Sequence, residues 1–165
     1  YEKLAEQNPD KAGVSLLLAA LYDKKCDQEK AMALYEKILK GNPESVIAAN
    51  NLAFYYADKA PTAENLSKAE SLIATALKKY PNVASIQDTG AWVYYKKGEY
   101  GKAKNLLASV GEQIEKLPVV SYHMGMISYK LGEKENARKY LEISLKGNQN
   151  FSGREEAEKI VKELK

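Results

Sequence analysis

The stretch Ala31-Met-Ala-Leu-Tyr35-Glu-Lys-Ile38-Leu-Lys-Gly-Asn-Pro43 decides the fold, because its pattern returns later in the chain. In Ala69-Glu-Ser-Leu-Ile73-Ala-Thr-Ala76-Leu-Lys-Lys-Tyr-Pro81 the same places recur in the same order. A small residue is followed by a large apolar one, then by a third apolar or small residue, then by proline. Ala103, Leu107 and Val110 repeat the first three places, and Ala137, Leu141 and Ser144 follow them. Steps of four and three residues bring these side chains onto one face of a helix. The proline ends that helix, since it has no N–H to continue the ladder. Repetition of one such motif marks an array of structural repeats.

Counting back from each alanine gives four units, 12–45, 46–83, 84–117 and 118–151, of 34, 38, 34 and 34 residues. Each unit holds two apolar stretches at helical spacing with a polar break between them. In the first unit these are Leu18, Leu21 and Tyr22, then Leu34, Tyr35 and Ile38. The fold class expected is therefore all-α, built from helix pairs.

This pattern resembles the tetratricopeptide repeat, a helix–turn–helix unit, and specifically its bacterial members. The family places small residues at positions 8 and 20 of each unit. Here those positions hold Ala19/Ala31, Ala53/Ala69, Ala91/Ala103 and Gly125/Ala137. The resemblance implies that helix A and helix B of a unit cross at these residues, and that the units stack into a right-handed superhelical solenoid. Position 24 fills the space between helices with Tyr35, Ile73, Leu107 and Leu141, and Gly98 and Gly132 stand at the A–B turn.

Several departures from the pattern carry information. Cys26 replaces the turn glycine in the first unit, and the second has four extra residues near Ala60–Glu64, with Thr62 or Asn65 available as a helix cap. The third unit lacks the closing proline; Gly111 and Pro118 are expected to reshape its exit. The fourth has Ser128 where the family has an aromatic residue. Residues 1–11 match the tail of a preceding B helix, and the chain starts at Tyr1, so it reads as a piece of something longer. Residues 152–165, with Ala157, Ile160, Val161 and Leu164 on one face, read as a C-terminal capping helix.

Composition excludes several classes of function. The longest apolar stretch, Val14–Tyr22, is far short of a membrane span. Only Arg138 and Arg154 are arginines; the remaining 23 basic residues are lysines dispersed among 22 acids, which opposes a nucleic-acid interface. One cysteine and one histidine, Cys26 and His123, offer no zinc ligand set and lie in different units. Neither a nucleophile elbow nor a phosphate-cradling glycine loop is present. The expectation is a soluble protein that is not an enzyme, with no cofactor and no metal, in the cytoplasm or the periplasm.

The resemblance further implies a concave face made by the A helices, suited to a peptide or partner protein. On that face the family positions map to Asn50, Asn51 and Phe54, to Asp88, Trp92 and Tyr95, and to Tyr122, His123, Met126 and Tyr129. Asparagines can bond a ligand backbone through donor and acceptor together. Two states stay open for the aromatics Trp92, Tyr95 and Tyr129: lining a groove, or packed between repeats. Of the residues that clamp acidic chaperone tails in some family members, only Asn51 is present. A scaffold binding a peptide or protein is the role expected. The alternative is a structural or self-associating segment, homo-oligomeric and without a peptide ligand, in a bacterial envelope polysaccharide or secretion system.

Overall fold

In the computed structural model the described residues are 12–147 and 150–164, together with Lys3. The leading segment 1–11, expected to be the tail of a preceding unit, thus lies outside the described residues apart from Lys3. Among the described residues there are nine α-helices, one 3₁₀ turn and no strand. The helices are α1 (Ala12–Lys24), α2 (Gln28–Gly41), α3 (Val46–Asp58), α4 (Ala63–Lys79), α5 (Ala84–Lys96), α6 (Tyr100–Ala108), α7 (Pro118–Lys130), α8 (Lys134–Leu145) and α9 (Arg154–Glu163). The 3₁₀ turn covers Gly111–Lys116 between α6 and α7. The chain divides into two compact units, one through Ala76 and one from Leu77.

In the first unit α1 packs on α2 and α2 on α3. The small residues sit where helices meet: Ala19, Ala31, Ala53 and Ala69 are all 0% exposed. Tyr35 fills the remaining space on α2, at 2% exposure. The hydroxyl of Thr62 accepts the Asn65 backbone N–H at 3.1 Å and caps α4, while the Asn65 side chain donates to the Ala60 carbonyl at 2.9 Å. Both candidate capping residues therefore hold the longer turn. Tyr56 of α3 reaches back to α2, its hydroxyl donating to Glu36 Oε1 at 2.7 Å. Burial, and then the Glu36 carboxylate, push the Tyr56 phenol up to about 12.

The second unit repeats the arrangement, with α5 on α6, α6 on α7, α7 on α8 and α8 on α9. Ala91, Ala103 and Ala137 are again wholly buried. A Cβ added to Gly125 would come within 2.7 Å of the Leu141 side chain and 3.0 Å of its backbone nitrogen, so α7 and α8 approach too closely there for any side chain. Helix α7 is enclosed on all sides, and every residue from Val120 to Ser128 is buried. Helix α6 stops early. Gly111 takes a φ of +66° and starts the 3₁₀ turn, and Pro118 opens α7.

Gly98 and Gly132 follow α5 and α7 with φ of +81° and +76°. Cys26, at the corresponding turn after α1, adopts φ +58°. A left-handed conformation places Cβ against the following carbonyl and costs about 1–2 kcal/mol in a residue other than glycine. Cys26→Gly is therefore expected to raise unfolding free energy by about 1 kcal/mol in a urea titration.

An unfolded tyrosine titrates near 10, below the folded Tyr56. The stability linked to this phenol is intact below about pH 10 and is lost as pH rises toward 12. Melting temperature should fall across that window, and less steeply in Tyr56→Phe, which has no buried phenol to ionise.

Candidate interaction face

Four residues of α3, Ile47, Asn50, Asn51 and Phe54, stand three or four apart and so share one helix face. Ile47 is 60% exposed, and Asn50, Asn51 and Phe54 are half-buried. The two amides are not equivalent. Asn51 Nδ2 donates to the Tyr35 hydroxyl at 3.0 Å, and that hydroxyl donates to Asp23 Oδ2 at 2.7 Å. One chain of hydrogen bonds thus ties α3 through α2 to α1. Burial, and then the hydrogen bond to Asp23, raise the Tyr35 phenol well above its ordinary range. Asn50 Nδ2 lies 3.4 Å from Asn51 Oδ1, and Asn50 Oδ1 is a buried acceptor with no partner.

The predicted residues of the second unit form a different structure. Trp92 of α5 stacks on Tyr95 at a centroid distance of 4.6 Å and on His123 of α7 at 4.0 Å. Tyr122 tilts against Trp92 at 5.8 Å and against Phe151 at 5.4 Å. His123 Nδ1 lies 2.8 Å from Asp88 Oδ1, within hydrogen-bond distance. Lys96 Nζ sits 4.9 Å from the centroid of Trp92. From α9, Glu156 accepts the Tyr122 hydroxyl at 2.9 Å, and Glu163 lies 3.4 Å from the Tyr129 hydroxyl. Burial, and then the Glu156 charge, raise the Tyr95 phenol well above its usual range.

Of the sites expected on a concave face, Asp88, Trp92, Tyr122, His123 and Met126 are buried. Their side chains pack against one another and against the next element. The physical reason is that the next element supplies a lid of side chains. Phe151 and Glu156 close over Tyr122, and the Tyr122 ring packs directly on Gly153. A Cβ at Gly153 would fall inside that ring, and its φ of +99° suits glycine alone. Tyr95 and Tyr129 stay half-buried at the edge of the cluster. Tyr35, Asp23, Phe151, Gly153 and Glu156 were not among the expected site residues. The one sequence signal for the last three is an aromatic-x-glycine opening a terminal amphipathic helix.

Trp92, at 2% exposure among three rings, is a packing residue. Trp92→Ala is expected to cost about 3–5 kcal/mol in chemical denaturation, as truncation of a buried aromatic does.

Among the described residues no group of three or more His, Cys, Asp or Glu side chains could hold a metal ion, and no helix is long and apolar enough to cross a membrane. The chain carries no catalytic motif. No curated protein matches it in sequence. Residues 120–146, which span α7 and α8, match the tetratricopeptide repeat. The crystal structure of PilW, a widely conserved type IV pilus biogenesis factor, is similar over 99% of this chain and 79% of its own, with a TM-score of 0.72 and 16% identity. TTC0263, a thermophilic TPR protein of Thermus thermophilus, is similar over 97% and 86%, with a TM-score of 0.74 and 18% identity. With a matched repeat at 120–146 and the fold of these two proteins along nearly all of its length, the chain has an all-α helical-repeat fold of the tetratricopeptide type.

Proposed function

We propose that this chain is a protein-interaction scaffold whose accessible binding surface is the α3 face carrying Ile47, Asn50, Asn51 and Phe54. One observation carries the reading: Asn50 Oδ1 has no partner beside an isoleucine that is 60% exposed. Turned outward from its buried rotamer, such an acceptor suits a ligand backbone N–H, and the adjacent apolar surface suits a ligand side chain. Asn51 is already held by Tyr35, so its role is to fix the face in place. Tyr95 and Tyr129, half-buried on α5 and α7, are edge residues of such a surface in the second unit. We read the repeats as 12–45, 46–83, 84–117 and 118–151, followed by a capping helix in 152–165. Support comes from the starts of α3, α5 and α7 at Val46, Ala84 and Pro118.

The test is a selection of peptides on the whole chain, followed by calorimetry on variants. Asn50→Ala and Phe54→Ala should each weaken the selected peptides by roughly 5–30-fold, the loss of one buried hydrogen bond or one apolar anchor, with helix content unchanged. Peptides indifferent to both changes would overturn the assignment. Self-association through the same face would instead give a molecular mass that rises with concentration and falls back in Ile47→Asp.

A further inference from the structure

From Val14 to Tyr22 helix α1 carries no charge. Apolar side chains therefore leave its axis in every direction, and a helix of that kind is ordinarily covered all round. Here one side is covered and the other is not. Leu18 and Ala19 are buried, and α1 packs on α2. On the opposite side Leu17 is 55% and Leu21 39% exposed. Gly13, Leu17, Ala20 and Lys24, spaced by four, three and four residues, are all exposed and make one stripe, with Leu21 along its edge.

Place along the helix does not account for this opening. Leu17 is the sixth residue of α1 and Leu21 the tenth. In α7 those places hold His123 and Ile127, both buried, with α5 and α6 packed on that helix. In α5 they hold Thr89 and Val93, buried as well, and in α3 Asn51 and Tyr55, half-buried. The open side of α1 thus has the make-up of a helix-packing surface. Contiguous exposed apolar residues of this kind mark an interaction site.

We propose that the stripe is the interface of a homodimer, in which α1 of a second copy lies antiparallel along it. A two-fold pair needs a patch that is complementary to itself, and leucines flanked by small residues meet that condition without any matching of charge. With the axis between the two leucines, Leu17 of each copy meets the partner's Leu21. Ala20 and Gly13 let the two helices come close. A helix of 13 residues offers less than the roughly 800 Å² per partner of a standard interface, so the pair is weak, with a Kd of roughly 10–500 µM. The stripe is on α1 and the ligand face on α3, so the two readings stand or fall separately.

The test is sedimentation equilibrium of the whole chain from about 10 to 1000 µM, a range that brackets such a pair. The mass should climb from that of one copy toward that of two. Leu17→Glu and Leu21→Lys should each weaken association at least about tenfold, with helix content unchanged because both side chains are exposed. The double variant Leu17→Glu/Leu21→Lys should regain association at low salt, since the antiparallel pair sets each carboxylate against an ammonium. In a parallel pair like charges would meet instead. Ile47→Asp, on α3, should leave the mass as it is in the wild type. The proposal is overturned by the mass of a single copy at every concentration, the result expected if residues 1–11 cover the stripe. It is overturned equally by association that survives Leu17→Glu, or that Ile47→Asp removes. A double variant that stays monomeric at low salt overturns the antiparallel pairing.

Discussion

The close approach of helices at residues no larger than alanine is the constraint on which the rest of the structure depends. At Ala19, Ala31, Ala53, Ala69, Ala91, Ala103 and Ala137 no side-chain surface is left to solvent, and at Gly125 even a Cβ has no room. Neighbouring helices are thereby brought near enough for long side chains to reach a second helix. Tyr35 can link Asp23 on one neighbour to Asn51 on another because both lie within a single phenol's reach. Overpacking at any of these crossings would move whole helices rather than one rotamer.

The two compact units use their A helices differently. In the first, the α3 face keeps a polar network beside an exposed isoleucine, so the amides are held in place and half-buried. In the second, the corresponding positions on α5 and α7 are tryptophan, tyrosine and histidine, and their rings find one another. Stacked aromatics gain both buried area and favourable ring geometry. A ring cluster of this size leaves little open surface once α9 contributes Glu156 and Phe151 precedes it. A repeat array can therefore keep one backbone pattern while some units leave an apolar residue of that face exposed and others bury it.

Much of this was legible in the sequence, for reasons that can be named. The small residues could be read because their spacing is dictated by the helix crossing, which every unit must satisfy. Cys26 could be read as a turn residue because Gly98 and Gly132 occupy the corresponding turns. Residue-level exposure was not legible. Position alone cannot say whether Trp92 faces solvent, since that depends on Tyr122 and His123 some thirty residues away. The Asn51–Tyr35–Asp23 chain was hidden likewise, because it joins three helices with no shared period.

The turn at Cys26 has one more use. Its thiol is exposed, outside any helix, and is the sole cysteine of the chain; the sole tryptophan, Trp92, is in the other compact unit. Nature has thus installed one reactive anchor and one fluorescent donor, each in a different half of the molecule. An acceptor dye attached at Cys26 would make the unmodified sequence its own optical ruler, read through energy transfer from a single indole.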